Sequence, residues 1–104
     1  MERFLIVYRS APDGASDAAS PVQQRWSDWF GALGAQLIDR GSYAHGSIEI
    51  STRLAGPKSS ASSLAGYCVV QADDFNAVVR LAEACPIFDE HGSLEIARLG
   101  TPPA

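Results

Sequence analysis

The chain has 104 residues, 46% hydrophobic and 19% charged, with a net charge of −4. That length accommodates one domain over residues 1–104, near the lower end of sizes that bury a core unaided. No apolar run approaches the roughly 20 residues needed to cross a bilayer, and Lys58 is the only lysine among eight basic residues, so neither a membrane nor a phosphate-tracking contact with nucleic acid is expected.

Arg3 to Tyr8 is a β-branched and aromatic run, and the apolar stretch before Arg9 is too short for a secretory leader. It reads as a first strand, followed by a loop over 9–20 rich in turn formers. Ser20-Pro21-Val22-Gln23 then carries a helix-start signature, a serine cap with proline at the first helical position and glutamine three residues on. Val22, Trp26, Trp29, Phe30 and Leu33 recur at helical spacing and fall on one face, and Gly34 is placed to cap the end in a left-handed conformation.

Ala35 to Asp39 reads as a short strand, with a kink or bulge at Arg40-Gly41-Ser42, resuming from Gly46 to Thr52, where Ile48 and Ile50 alternate with Ser47, Glu49 and Ser51. These two pieces make one interrupted second strand. Ala55 to Ser63 follows as a mobile hairpin loop. Gly66 to Ala72 is a third, central strand, Asp73 caps the next helix, and Phe75, Val78, Val79 and Ala82 form that helix's apolar stripe. Cys85-Pro86 stops it. Gly92 to Leu99 is the last strand, with Leu94 and Ile96 inward, and 101–104 is a frayed tail.

The order β-α-β-β-α-β belongs to an α+β fold of ferredoxin-like type with an antiparallel sheet. Two helices with one apolar stripe each cover only one face of such a sheet. The other face is expected to meet a second subunit, as a homodimer. Cys68 and Cys85 lie inside regular elements without C-x-x-C spacing, so neither a disulfide framework nor a metal site is expected; they read as buried thiols of a cytoplasmic protein.

Three stretches, Trp26 to Gly41 (W-S-D-W-F-G-A-L-G-A-Q-L-I-D-R-G), Leu64 to Pro86 (L-A-G-Y-C-V-V-Q-A-D-D-F-N-A-V-V-R-L-A-E-A-C-P) and His91 to Ile96 (H-G-S-L-E-I), together resemble the YCII-related family, also called DGPF-domain proteins. The resemblance runs over about three quarters of the chain and is most specific in G-Y-x-V-V-x-A-D, the C-P helix stop and G-S-L-E-I. It implies a ferredoxin-like protomer in a dimeric α-β barrel, no cofactor, and no settled reaction. The eponymous Asp-Gly-Pro-Phe turn is degenerate here: Leu54-Ala55-Gly56-Pro57-Lys58 keeps only the Gly-Pro pair. Some relatives carry a His-Asp pair proposed as catalytic, neither member of which is carried over to a position in this chain.

Among single residues, His45 stands between the small residues Ala44 and Gly46 at a strand entrance, where an imidazole would serve as general base or proton shuttle. Asp39, beside the kink, and Asp28, between the two tryptophans, are its candidate acidic partners. Tyr43 lies near His45 as a polar end for an apolar pocket, and Arg25 and Arg40 offer planar forks to a carboxylate or phosphate, unless they serve as ordinary surface ion pairs. Trp26 and Trp29 read as core, Asp73-Asp74 as helix capping, and Cys68 as an inert thiol; His91 is a loop histidine with no evident partner. No G-x-G-x-x-G, P-loop, H-E-x-x-H or nucleophile elbow occurs.

The sequence therefore leads to a domain binding a small, partly apolar molecule in a cleft between sheet and helices or at a dimer interface. If it is an enzyme, proton transfer or hydrolysis by His45 with Asp39 or Asp28, oriented by Tyr43 or Arg25, is the expected form. The alternative is a non-catalytic homodimeric interaction module whose essential surface is the sheet.

Overall fold

A computed structural model describes residues 1–10, 21–59 and 64–100. The loop over 11–20 with its Ser20 cap, the side chain of Val22, the hairpin-loop residues 60–63 and the tail over 101–104 lie outside the described residues.

Alternation along two strands builds one face of the core. In β1 (Glu2–Arg9) Phe4, Ile6 and Tyr8 are buried, and in β5 (Leu64–Ala72) Gly66, Cys68, Val70 and Ala72 are. The strands pair antiparallel with Phe4 opposite Val70 and Ile6 opposite Cys68, which places both sets on the same side because side chains alternate with period two. Against that side α1 (Pro21–Leu33) lays Trp26, Trp29, Phe30 and Leu33, all buried as their spacing predicts. Each such side chain removed from water contributes about 1.5–3 kcal/mol before entropy is counted. Gly34 adopts the expected left-handed conformation, and a short 3-10 turn over Gly34–Gln36 leads on to the next strand.

The main sheet has the order β2-β5-β1-β6, with β2 spanning Leu37–Tyr43 and β6 spanning Ser93–Leu99. All three pairings are antiparallel, so β1 and β2 run the same way with β5 between them. Leu94 and Ile96 pack against the core, as their alternation predicts. The result is an α+β fold with helices on one face of an antiparallel sheet. On the other face Leu5 stands between Val69 and Ala97, and Val7 lies beside Tyr67; the first three are half-buried or exposed, and Tyr67 is exposed.

The second strand departs from expectation. Instead of stopping at Asp39, β2 runs on to Tyr43 through two register shifts against β5. Asp39 Oδ1 accepts a hydrogen bond from the Gly41 N–H at 2.8 Å, and Gly41 takes a left-handed φ of 68°. A Cβ on Gly41 would meet the carbonyl of Tyr67, so only glycine allows β2 to approach β5 there. The irregularity is thus absorbed as a bulge inside the strand.

Ile48–Ile50 is correspondingly not a continuation of that strand. It forms a separate two-stranded hairpin, β3, with β4 (Pro57–Ser59), inside what the sequence presents as a loop over 55–63. An ion pair between Lys58 Nζ and Glu49 Oε2 at 3.6 Å crosses it. Ile48 and Ile50 are 70% and 67% exposed, so their alternation reflects strand geometry without burial.

Two further corrections concern α2 (Phe75–Ala82). Its cap is Asp74, whose Oδ1 accepts from the Ala77 N–H at 2.8 Å, rather than Asp73, because the helix starts one residue later than read. Its stripe is rotated toward Ala77 and Leu81: Val78 and Ala82 are buried, whereas Phe75 and Val79 are exposed at its edge. Phe75 still packs edge-on against Phe4, with Arg98 stacked on its outer side at 4.7 Å. α2 ends at Ala82, three residues before the expected Cys85-Pro86 stop, and Pro86 instead starts a 3-10 turn, Pro86–Glu90, that His91 ends in a left-handed conformation. No helix among the described residues is long and apolar enough to cross a membrane.

Candidate functional site

Tyr8 is the last core-facing residue of β1. It is 1% exposed, with its ring edge-on to Trp26 at 4.8 Å and to Trp29 at 6.1 Å. Its hydroxyl is buried and has no hydrogen-bond partner among the described residues. Burial raises its pKa first, and a weak side-chain interaction with the thiol of Cys68, two residues along the paired strand from the residue opposite, raises it further. The phenol is therefore held neutral among the aromatic rings, with the Cys68 sulfur beside it and no nitrogen or oxygen partner among the described residues.

Two cavities open from this residue, and Tyr43 borders both. One, of about 200 Å³, is lined by Phe30 of α1, by Arg40, Gly41 and Ser42 at the β2 bulge, and by Tyr67 of β5. The other, of about 260 Å³, is lined by Gln23 and Trp26 of α1, by Ala44 and Ala65, and by Ile87 and Glu90 of the 3-10 turn. They form two lobes of a cleft between α1 and the β2 side of the sheet. Tyr43 is a rim residue, 65% exposed, whose ring stands perpendicular to that of Trp26 at 6.2 Å.

The lobes differ in charge. In the first, the Arg40 guanidinium lies 4.7 Å from the centre of the Phe30 ring and has no acidic partner among the described residues. In the second, Glu90 Oε2 accepts from the Trp26 indole N–H at 2.6 Å, a bond that joins residues 64 apart in the chain. That bond fixes both the indole and the carboxylate.

Of the residues singled out from the sequence, Tyr43 and Arg40 reach the cleft. His45 does not. It lies exposed in the connection between β2 and β3, lines neither lobe, and makes no hydrogen bond or ion pair with Asp39 or Asp28. Asp39 is occupied at the bulge by Gly41, and Asp28 on the exposed side of α1 accepts from Gln24 Nε2 at 2.8 Å. Arg25 pairs with Asp89 at 3.4 Å, both side chains more than half exposed, the kind of surface pair that contributes little. Together Arg25 and Asp28 border a more open hollow with Trp29 and Pro86. The structure therefore does not assemble His45, Asp39 and Asp28 into one group.

Tyr8 and Glu90 carry no signal that sequence reasoning could single out: the first is one alternating strand residue among several, and the second needs a tertiary contact to acquire a role. The two thiols behave as buried groups. Burial pushes the Cys68 thiol up, and pushes Cys85 up to about 12 against the lowering effect of the Ile87 backbone. Among the described residues no three His, Cys, Asp or Glu side chains gather in a way that would hold a metal ion.

No family model matches the chain, and neither a curated protein nor a solved structure matches it.

Proposed function

We propose that this protein binds a small, partly apolar molecule in the two-lobed cleft around Tyr8 and Tyr43. The observation that carries this reading is the pair of adjoining cavities that share Tyr8 and Tyr43 in their lining. Trp26, Phe30, Tyr43 and Tyr67 add aromatic surface and Ala44, Ala65 and Ile87 aliphatic surface, the apolar lining that small-molecule sites commonly have.

We place the chain with the YCII-related proteins, as a cytoplasmic ferredoxin-like protomer whose open sheet face pairs with a second copy in a dimeric α-β barrel. The strand order β2-β5-β1-β6 and the placement of both helices on one face support the protomer part. The strip of Leu5, Val7, Tyr67 and Val69 on the opposite face supports the pairing, and also favours a second reading as a homodimeric interaction module. His45 has no part in the binding proposal, because it stands outside both lobes.

The test is a titration of the isotope-labelled protein with a set of neutral aromatic fragments, p-xylene among them, followed by amide and indole resonances. Binding in the cleft shifts the signals of Tyr8, Trp26 and Tyr43, and Tyr43→Ala weakens it. Shifts confined to the open sheet face, or no shifts at all, would reject the cleft in favour of the interaction module.

A further inference from the structure

Resting on the reading of the cleft as a ligand site, we infer that its ligand spans both lobes and carries opposite charges at its two ends, an anionic group such as a carboxylate at Arg40 and an ammonium group at Glu90. Size is the first support. Each lobe, at about 200 and 260 Å³, falls below the roughly 300 Å³ at which ligand pockets ordinarily begin. Tyr8 and Tyr43 border both, so a ligand of ordinary size reaches from one into the other past the Tyr43 rim.

Charge is the second support. Among the described residues Arg40 is the only ionisable one besides the tyrosines lining its lobe, and it lies on the Phe30 ring without an acidic partner. Contact with the ring holds the guanidinium in place, and its planar fork is suited to a two-pronged contact with a carboxylate. Among the described residues Glu90 is the only acidic one lining the other lobe, where Tyr8, Trp26 and Tyr43 accompany it. A carboxylate beside aromatic rings is the combination that recognises an ammonium group, by charge pairing on one side and ring contact on the other. The indole of Trp26 occupies Oε2 of Glu90, which leaves Oε1 for a ligand.

Three probes of matching shape separate the contributions: 4-(aminomethyl)benzoate, which carries both charges, 4-methylbenzoate, which carries only the anion, and 4-methylbenzylamine, which carries only the cation. Each is titrated into the full chain with the Trp26 indole N–H resonance as readout. The doubly charged probe is expected to bind about fivefold or more tightly than either singly charged one. Arg40→Gln should erase its advantage over the amine, and Glu90→Gln its advantage over the benzoate, with melting temperatures confirming that both variants fold. Equal binding of all three probes, or an advantage that survives both substitutions, would overturn the inference while leaving the cleft a ligand site. Failure of all three probes where p-xylene still binds would overturn it equally, and failure of p-xylene as well would remove the cleft reading with it.

Discussion

The Trp26 indole N–H donates to Glu90 Oε2 across 2.6 Å, tying the middle of α1 to the 3-10 turn that follows α2. This bond forms one wall of the cleft and links two elements far apart in the chain that both meet the end of β1. Trp26→Phe keeps the ring but removes the donor, and should lower stability by about 1.5–3 kcal/mol because the acceptor is charged and partly shielded. Glu90→Gln retains an acceptor and should cost less than half as much. Urea unfolding midpoints measure both, and equal effects would show that the bond contributes through packing alone.

Trp29 is 5% exposed and donates from its indole to the Leu81 carbonyl at 3.0 Å. Trp29→Ala should therefore cost about 3–5 kcal/mol, from the cavity and the lost hydrogen bond together. A melting temperature within a degree or two of the parent would place Trp29 outside the core.

Asp73 and Asp74 are adjacent and chemically equal, yet only Asp74 caps α2. Asp74→Ala should destabilise the protein by about 1 kcal/mol, and Asp73→Ala by well under half of that. Thermal unfolding of the two variants side by side distinguishes them; the reverse order would move the start of α2 by one residue.

Alkaline pH should destabilise the fold. Cys85 has its pKa raised by burial from an ordinary 9.0 to about 12, and Cys68 and Tyr8 are raised in the same direction. Below about pH 9 the Cys85 thiol is protonated in both folded and unfolded chains, and its full contribution is present. Between about 9 and 12 the unfolded chain loses that proton while the folded one holds it, so stability falls by about 1.4 kcal/mol per pH unit from this group. Cys85→Ala should flatten the profile in that window even as it lowers stability at pH 7. An unaltered slope would mean that Cys85 does not titrate on unfolding as described.

Val69 lies near the centre of the open sheet face, opposite Leu5. Under the face-to-face dimer, Val69→Lys shifts the sedimentation coefficient from dimer to monomer, whereas Ile48→Lys, on the separate hairpin, leaves it unchanged. A dimer that tolerates Val69→Lys but is lost with Ile48→Lys would place the interface on the hairpin instead.

What the sequence determined by itself is what depends on periodicity and local chemistry. Trp26, Trp29, Phe30 and Leu33 announce a buried helix face because helical spacing brings them together wherever the helix packs, and Phe4 to Tyr8 announces a strand by its β-branched and aromatic run. The consecutive Val69 and Val70 read as burial on both sides of the third strand, whereas Val70 is buried, Val69 half-buried and Tyr67 exposed. Gly34 and Pro86 punctuate the chain through their own backbone preferences. Only the tertiary structure decided whether alternation meant burial. Ile48 and Ile50 alternate as well as Ile6 does, but the Gly41 bulge keeps β2 paired with β5 through Tyr43 despite two register shifts, and the isoleucines that follow enter a hairpin outside the main sheet. The cleft likewise depends on long-range contacts: Tyr8, Tyr43 and Glu90 come from separate parts of the chain and acquire a shared chemistry only where the end of β1 meets α1 and the 3-10 turn. The same dependence explains His45. Flanked by small residues, it is a plausible base on the page, but a proton shuttle needs a partner within hydrogen-bond reach, and the fold leaves it exposed in a connection, outside both lobes.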